Sequence, residues 1–297
     1  MPEITAVQYM TENLAIWLDN NQILKFSPAK TPTKYAHVQH FFSSPVDVLD
    51  VYRRGKNSIV ITNRGTMILK YNLSGNVFRR DEIHSNDKFM RGFFTLGSGD
   101  YIIFSDKINL AHIDILEGVT DTSTIEHILS KKLGPEFWPH LSDGKSPDGN
   151  WWKNILIGKG KGKQLLYTAI KNQQKVAGIG NIIAIEALFR SKISPELRCC
   201  DLNDMQWSKL AQQIGIVVEH SLEQHRSLRL KEQSKISDSR CFSGILHLVS
   251  EGKHRAEGYV IYGRLNEICP ECDEVHIKKT KVGCQPLYWC PNCQRTS

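Results

Sequence analysis

The chain has no apolar run that approaches the roughly 20 residues a helix needs to cross a membrane. Its first residues also lack the organisation of a signal peptide, because Glu3, Glu12 and Asp19 interrupt them before an apolar core develops. Internal repeats and low-complexity tracts are absent as well. We therefore expect an intracellular protein that does not associate with membranes.

One half of the chain carries almost no net charge. Residues 1–150 contain 16 lysines and arginines against 17 aspartates and glutamates, whereas residues 151–297 contain 22 against 14. A positive excess confined to one half is typical of a protein that contacts a polyanion there, although a solvated basic surface has the same composition. The length of 297 residues allows two domains, or one domain with appendages.

Cysteine is absent from residues 1–198, and the basic half holds all eight: Cys199, Cys200, Cys241, Cys269, Cys272, Cys284, Cys290 and Cys293. In an intracellular protein, close paired spacings indicate a metal site rather than disulfides. Cys199 and Cys200 are adjacent, so a bridge between them would be strained. We interpret these two, with Cys241, as ordinary buried or half-buried thiols.

Two C-x-x-C pairs, Cys269 with Cys272 and Cys290 with Cys293, stand 17 residues apart near the C-terminus. Four thiolates at this spacing suit a tetrahedral Zn²⁺. Such a site is closed to a reacting water, so we predict a structural zinc that holds a small finger together. Cys284 is predicted not to be a ligand. No His/Glu cluster accompanies the cysteines, which argues against a zinc hydrolase.

Short strands are predicted up to about residue 120, at residues 14–18, 23–26, 46–51, 58–62, 67–71 and 101–104. Asn63-Arg64-Gly65 is typical of a hairpin turn between two of them. Several short strands at regular spacing predict a sandwich or a barrel.

The second half of the chain changes to a helical pattern. Residues 137–163 hold few strong signals, and the turn-rich stretch 142–150 is interpreted as a linker. Helices are then predicted at residues 164–173, 182–191 and 204–224. Asp201 or Asn203 is expected to cap the last of them.

A Gly-x-Gly motif, Gly178-Ile179-Gly180-Asn181, lies between two of these helices. The glycines allow a sharp turn and a close approach to another surface. Asn181 then begins a helix whose N-terminal N–H groups make a natural phosphate seat, although a plain turn between two helices would look similar.

The residues behind the initiator methionine are proline and glutamate. With the methionine removed, Pro2 becomes an N-terminal secondary amine with a pKa of roughly 8, so a sizeable fraction is an unprotonated nucleophile near neutral pH. Glu3 then stands beside it as a carboxyl. Taken alone, the same three residues are simply the start of a chain.

In this order the motifs resemble the Fpg/Nei family of DNA glycosylases, the formamidopyrimidine-DNA glycosylases and endonucleases VIII. The matching residues span nearly the whole chain: Pro2-Glu3, Arg53-Arg54-Gly55-Lys56, Gly178-Ile179-Gly180-Asn181 with Glu186, Tyr262-Gly263-Arg264, the four paired cysteines and Gln294. The resemblance implies an α+β multidomain fold. Its expected parts are an N-terminal β-sandwich (1–125), a linker (126–150), a helix–two-turn–helix domain (151–255) and a zinc finger (256–297).

The resemblance implies a bifunctional DNA glycosylase and AP lyase that removes oxidised bases in base excision repair. Pro2 would attack C1′ of the damaged nucleotide and form a Schiff base. Glu3 would serve as general acid and base for opening the sugar ring. Lys56 would contact phosphate and assist strand cleavage by β-elimination; without the family, a surface lysine in a turn is the better interpretation.

The implied partner is damaged DNA, bound by a monomer through Gly180, Asn181 and Arg264. A duplex hides C1′, so the nucleotide must be flipped out and its gap filled. Leu73, which precedes Ser74-Gly75, occupies the place of the family's apolar filler, and from the residues alone it could equally be a core leucine.

The chain departs from the family pattern at two places. The Arg-Arg-Phe-Gly segment, which supplies two further gap-filling side chains, has no counterpart near residues 106–110. Gln285 replaces the finger arginine five residues before the third zinc cysteine, which makes efficient δ-elimination unexpected unless Lys278, Lys279 or Lys281 substitutes. The loss of this arginine implies a divergent branch, nearer the vertebrate-type endonuclease VIII-like members with Asn-Ile-Ile in the second helix, here residues 181–183. The polar residues 226–243 are predicted to form a loop.

A second hypothesis is a non-enzymatic binder of damaged or single-stranded DNA that keeps the scaffold without the chemistry. Pro2-Glu3 separates the two hypotheses, because a pure binder has no reason to keep that pair.

Overall fold

The computed structural model describes residues 2–29, 32–84, 87–138, 147–235 and 259–295, and the chain forms two compact units. One unit comprises residues 1–131 with 222–252, and the other comprises residues 132–221 with 253–297. The finer division into four domains stays a prediction. Cys241 and residues 236–243 of the predicted loop lie outside the described residues.

In the described residues, the first unit is built from antiparallel strands, three complete helices and the end of a fourth. Its elements are α1 Ile4–Leu18, β1 Gln22–Pro28, α2 Ala36–Phe41, β2 Val46–Arg54, β3 Asn57–Thr62, β4 Gly65–Lys70, β5 Gly75–Arg80, β6 Met90–Leu96, β7 Tyr101–Asp106, β8 His112–Glu117 and α3 Thr122–Ser130. The strand order is β5-β7-β6-β1-β2-β3-β4-β8. Only two residue pairs join β1 to β2, so the strands form two halves at this point.

Both halves contribute side chains to one core, which confirms the β-sandwich. Phe26 and Phe104 come from one half, and Val60 and Leu69 from the other. Their rings and branched aliphatic chains are 0–2% exposed, and burial of such side chains stabilises a fold by roughly 1.5–3 kcal/mol each. The turn at Asn63-Arg64 joins β3 to β4 as predicted.

The predicted strand at residues 14–18 is wrong, because these residues end helix α1. Five consecutive apolar or small residues do not distinguish a strand from a buried helix. Over a longer window the apolar positions Val7, Met10, Leu14 and Leu18 recur at helical spacing, and all four lie in the core.

Among the strands that the structure describes in the first unit, three were not predicted: β5, β6 and β8. β6 alternates buried and half-buried residues, but Arg91 and Gly92 interrupt its apolar pattern. Gly92 is required there, because a Cβ at this position would lie 2.3 Å from the Phe26 ring.

In the described residues, the second unit contains three complete helices, the first part of a fourth and a two-stranded hairpin. Its elements are α4 Gly149–Ile157, α5 Leu166–Ile170, α6 Asn181–Arg190, α7 Asp204–Lys235, β9 Lys278–Val282 and β10 Gln285–Trp289, and the end of α7 belongs to the first unit. The helix α4 was missed. Asp148 caps it by accepting a hydrogen bond from the Trp151 backbone N–H at 2.8 Å.

Helix α7 begins with a reciprocal capping box. The Asn203 side chain accepts from the Gln206 N–H at 2.9 Å, and the Gln206 side chain accepts from the Asn203 N–H at 3.0 Å. Asn203 is therefore the cap, and Asp201 instead accepts from the Arg198 N–H. Since α7 continues to Lys235, the predicted loop is wrong for residues 226–235. None of the helices in the described ranges has the length and apolarity needed to cross a bilayer.

The last part of α7 packs on α1 within the first unit. The His225 ring stacks on Tyr9 with 5.9 Å between ring centroids. Arg226 Nη2 donates to Glu12 Oε1 at 2.5 Å. Burial lowers the pKa of His225 from 6.5 to about 4.

This shift predicts a loss of stability in mild acid. Between pH 6.5 and 4 the unfolded chain binds a proton at His225 and the folded chain does not, so stability is complete above pH 6.5 and falls as the pH drops. The loss from this histidine is at most about 3 kcal/mol. Urea unfolding of the His225→Phe variant, which keeps a ring against Tyr9, should show a flatter pH profile. The exposed His220→Gln control should follow the unmodified protein, and equal acid sensitivity in all three would contradict the assignment.

Candidate active site and nucleic-acid interface

The N-terminal pair Pro2-Glu3 stands at the start of helix α1. Glu3 is the N-cap residue, and its carbonyl accepts from the Val7 N–H at 3.0 Å. Glu3 is 6% exposed, whereas Pro2 is half-buried. A carboxylate at a helix N-terminus is favoured by the helix dipole. The backbone of the first turn of α1 thus begins at the residue that follows Pro2.

Lys56 lies in the two-residue turn between β2 and β3. Gly55 adopts φ +59° in this turn, a conformation that glycine reaches without strain. The fully buried Arg53 connects the turn to α1: its Nε donates to Gln8 Oε1 at 2.9 Å, and its Nη1 donates to the Gly55 carbonyl at 3.0 Å. This buried arginine holds the lysine turn against the helix that begins at Glu3.

The electrostatics show that Lys56 and Glu3 interact. Burial lowers the pKa of the Lys56 ammonium, and the negative charge of Glu3 opposes this effect. Of the three residues predicted to be catalytic, Lys56 therefore interacts with Glu3, and Pro2 is the sequence neighbour of Glu3. The lowered pKa lets Lys56 release its proton more easily than an ordinary lysine. Such a group can transfer protons around a covalent intermediate. The individual roles stay predictions.

Leu73 is 48% exposed at the turn between β4 and β5, so it is not a core leucine. The loop that follows β7 lies beside it, because Asn72 Nδ2 donates to the Leu110 carbonyl at 2.6 Å. Ile108 and Leu110 in this loop are 46% and 51% exposed. These two residues were not predicted, because only an Arg-Arg-Phe-Gly segment was expected to supply further gap-filling side chains near residues 106–110.

Asp106 organises this loop and was also missed. Its carboxylate is buried and accepts from the Ala111 N–H at 2.6 Å, from the Ile108 N–H at 3.2 Å and from the Ser74 hydroxyl. Because the turn after β4 and the loop after β7 both donate hydrogen bonds to this one carboxylate, the exposed side chains of Leu73, Ile108 and Leu110 are held on a fixed backbone.

In the second unit, the Gly-x-Gly motif leads into helix α6. Gly178 adopts φ +107°, and Gly180 is the N-cap residue. The side chain of Asn181 connects the helix start to the hairpin: its Nδ2 donates to the Pro286 carbonyl at 2.9 Å, and its Oδ1 accepts from the Tyr167 hydroxyl. The motif is therefore more than a plain turn between helices, since it positions the β10 strand.

Lys171, the C-cap residue of α5, contacts both the first residue of α6 and the first residue of β10. Its Nζ donates to Gln285 Oε1 at 2.5 Å and to Asn181 Oδ1 at 3.2 Å. The exposed strand β9 carries the predicted substitutes for the missing arginine, Lys278, Lys279 and Lys281. Because Lys171 is 114 residues away in sequence, only the fold places its charge at Gln285.

Glu186 on α6 is fully buried and holds the segment that leads into the finger. Its two carboxylate oxygens accept from three consecutive backbone N–H groups, those of residues 260–262, each at 2.9 Å. Arg264 follows in the next turn, after Gly263 at φ +82°. Its Nη1 lies 3.9 Å from Glu267 Oε2, a weak and half-exposed ion pair that leaves most of the guanidinium charge available to another anion.

The four paired cysteines converge. All four Sγ atoms lie within 4.8 Å of one another, and two Sγ–Sγ separations are 3.8 Å. A tetrahedron with metal–sulfur bonds of about 2.3 Å has edges of roughly 3.8 Å, so the thiol set fits Zn²⁺. Cys284 is exposed in the hairpin turn, outside this group. Gln294 links the last knuckle to the unit by donating to the Ile193 carbonyl at 2.9 Å.

Comparison with known proteins gives consistent matches. Residues 155–232 match the family described as "Formamidopyrimidine-DNA glycosylase H2TH domain". A formamidopyrimidine-DNA glycosylase from Hydrogenovibrio crunogenus is 30% identical over 262 residues, which cover 84% of this chain and 79% of that relative. One from Streptococcus mutans is 23% identical over 301 residues, covering 99% of this chain and all of the relative.

Solved structures show the same fold. MutM in complex with DNA containing carbocyclic 8-oxo-G matches with a TM-score of 0.77, and Lactococcus lactis Fpg in complex with abasic-site DNA matches with 0.78. Each is 19% identical and covers 99% of this chain and all of the other chain. These matches confirm the predicted fold class.

Proposed function

Because the chain belongs to the Fpg/Nei family of DNA glycosylases, we propose that it removes oxidised bases from DNA and cleaves the abasic strand through a Schiff base on Pro2. The observation that carries this proposal is the buried Arg53, which joins the turn that holds Lys56 to the helix that begins beside Pro2-Glu3, together with the electrostatic interaction between Lys56 and Glu3. The curated relatives are named as glycosylases, and the solved relatives are complexes with lesion-containing or abasic DNA.

In the first step, the Pro2 nitrogen donates its electron pair to C1′ of the flipped nucleotide. The N-glycosidic bond breaks, and the base leaves with the electron pair of that bond and takes up the proton that the proline nitrogen releases. Glu3 protonates the ring oxygen as the sugar opens, and the C1′–nitrogen bond becomes an iminium. A carboxyl held at the helix N-terminus beside the nucleophile suits this proton transfer.

In the second step, the iminium acidifies the C2′ proton. Its removal by a base forms the C2′–C3′ double bond and expels the 3′-phosphate, which is β-elimination. Lys56 is suited to assist here, since its lowered pKa makes the neutral amine more accessible than that of an ordinary lysine, while its protonated form can bind phosphate. Hydrolysis of the iminium then releases Pro2.

DNA binding uses both units. We assign Leu73, with Ile108 and Leu110 beside it, to the gap left by the flipped nucleotide, because these exposed apolar side chains stand on turns fixed by Asp106. Gly180, Asn181 and Arg264 are assigned to DNA contacts around the helix–two-turn–helix motif and the finger. A structural Zn²⁺ on the four cysteines would hold the hairpin that carries Gln285 and Pro286.

Borohydride trapping on an abasic-site oligonucleotide tests the proposal directly. Reduction of the iminium fixes a covalent protein–DNA adduct, and a parallel reaction without borohydride reports strand cleavage. Neither adduct nor cleavage, in a protein that still binds the oligonucleotide, would favour the non-enzymatic binder instead.

We also predict that β-elimination dominates over δ-elimination. The family's finger arginine can bind a phosphate through a bidentate, charge-assisted contact, whereas the neutral amide of Gln285 makes weaker bonds. Gel analysis of the 3′ ends left on an abasic-site duplex should show mainly the unsaturated aldehyde, and Gln285→Arg should increase the 3′-phosphate product. Rapid and complete conversion to 3′-phosphate by the unmodified protein would contradict this prediction, as would a Gln285→Arg variant without any gain.

A further inference from the structure

A series of hydrogen-bonded side chains leads from the end of helix α7 to the turn that carries Lys56, all within the first unit. Arg226 on α7 donates to both carboxylate oxygens of Glu12 on α1, at 2.5 and 3.2 Å. Glu12 Oε1 also accepts from Gln8 Nε2 at 3.2 Å, one helical turn earlier. Gln8 Oε1 accepts from Arg53 Nε at 2.9 Å. These four side chains form one continuous polar network that joins three segments of the chain.

Charge fixes the direction of the bonds in the polar network. A guanidinium can only donate hydrogen bonds and an ionised carboxylate can only accept them, whereas an amide does both. The Gln8 amide lies between a guanidinium and a carboxylate, so it turns its oxygen to Arg53 and its NH₂ group to Glu12. The reversed amide would place two donors face to face and two acceptors face to face. The carboxylate of Glu12 therefore decides which way the Gln8 amide points.

The inner end of the polar network is buried beside the lysine turn. Gln8 and Arg53 are both shielded from solvent, so water cannot replace a misdirected bond there, and an unmatched donor costs more than it would at the surface. Arg53 Nη1 donates to the carbonyl of Gly55, the residue before Lys56. The orientation of the Gln8 amide thus helps to set the position of the arginine that holds the turn.

We propose that Gln8 and Glu12 are positioning residues for strand cleavage, with Arg226 as the anchor that holds Glu12. This inference rests on the proposed function, since it assumes that Lys56 assists β-elimination. The two residues act through Arg53 rather than on the substrate. Attack by the N-terminal amine does not need Lys56, so the polar network should matter for elimination and much less for formation of the covalent adduct.

The test uses abasic-site DNA with the protein in excess, and it compares the rate of strand cleavage with the rate of borohydride trapping. Glu12→Gln keeps the size of the side chain but lets the Gln8 amide reverse, because an amide at position 12 can donate as well as accept. We expect cleavage to slow about tenfold while trapping changes by about twofold or less. Gln8→Met removes the bond to Arg53 and should slow cleavage by at least about tenfold.

The isosteric double variant Gln8→Glu/Glu12→Gln should restore cleavage. The carboxylate then stands at position 8, where it accepts from Arg53 on one side and from the amide at position 12 on the other. The oxygen of that amide can still accept from Arg226, and the net charge of the two positions is unchanged. We expect a cleavage-to-trapping ratio within about twofold of that of the unmodified protein.

Asp100→Asn is the matched control, because it removes another ion pair of the first unit. The side chains of Arg79 and Asp100 are 38% and 21% exposed, against 40% and 17% for Arg226 and Glu12. This variant should keep the cleavage-to-trapping ratio of the unmodified protein. Thermal transitions of all variants separate positioning from stability, since a loss of folded protein lowers cleavage and trapping together.

An unchanged ratio in Glu12→Gln would overturn the inference, as would a double variant that stays as slow as Glu12→Gln. An equal fall of the ratio in Asp100→Asn would also overturn it. If Glu12→Gln lowers both rates in proportion and lowers the thermal transition, the contact is only structural and the inference fails. Trapping by the unmodified protein is scored separately: without an adduct the proposed function is wrong, whereas an adduct together with a normal ratio in Glu12→Gln refutes only this inference.

Discussion

Acetylation of the N-terminal proline is expected to abolish the covalent adduct with abasic-site DNA. An acetylated proline nitrogen has no electron pair available for C1′, so borohydride trapping should fall by about 1,000-fold or more. Retention of Met1 should have the same effect, because it converts the Pro2 nitrogen into an amide. Pro2→Gly leaves a primary amine in place and should weaken trapping to a smaller extent.

Lys56 carries a second amine that could form the covalent adduct, so the experiment must distinguish an adduct on Lys56 from one on Pro2. Its ε-amino group is half-buried, has a lowered pKa and lies close enough to Glu3 to interact with it. Lys56→Met should slow strand cleavage while leaving an adduct that maps to the N-terminal peptide after protease digestion. For every variant we would also measure binding to a duplex that contains tetrahydrofuran, a stable abasic-site analogue. A variant that binds this duplex normally but forms no adduct has lost reactivity rather than affinity for DNA. An adduct formed at full rate by the acetylated protein, or one that maps to the peptide containing Lys56, would refute the assignment to Pro2.

The sandwich was predictable from sequence because several of its strands show the same local pattern, a short run of β-branched and aromatic residues bounded by turn residues. β-Branched and aromatic residues cluster at β3 and β7, and Asn63-Arg64-Gly65 marks a tight turn. The end of helix α1 was predicted as a strand because Leu14–Leu18 form a short apolar run. A run of this length fits a strand and a buried helix equally well, and only the residues that it packs against decide between the two. Helix α4 follows a stretch of sequence rich in turn residues, so its cap at Asp148 was not recognised as the start of an element.

The site was predictable where one short motif carries the chemistry, as in Pro2-Glu3 and the two cysteine pairs. It was not predictable where distant residues meet. Lys171 and Gln285 lie 114 residues apart, and Arg53 and Gln8 lie 45 apart, so no local pattern connects them. The same holds for Ile108 and Leu110, whose exposure depends on the bonds that Asp106 makes to the neighbouring turn.

Replacing one zinc ligand is expected to unfold the finger and abolish DNA binding. Cys272→Ser leaves three thiolates, and apparent free energies of structural zinc binding run to about 10–16 kcal/mol, so a weakened site removes most of what holds a hairpin this small. Metal analysis should give about one zinc per chain for the unmodified protein and much less for the variant. Loss of the hairpin also removes Gln285 and Pro286 from Lys171 and Asn181, which explains why binding to the tetrahydrofuran duplex should fail.

Cys284→Ser provides the matched control, because Cys284 is exposed in the turn of the same hairpin and lies outside the group of four. This variant should retain its zinc, its thermal transition and its affinity for DNA. The strands of the first unit should keep their circular dichroism in both variants, since that unit has its own core. A Cys272→Ser protein that binds abasic-site DNA normally would contradict the structural role of the metal, as would a metal-free preparation of the unmodified protein with full affinity. Equal zinc loss in Cys284→Ser and Cys272→Ser would instead show that the ligand set differs from the four sulfur atoms that converge here.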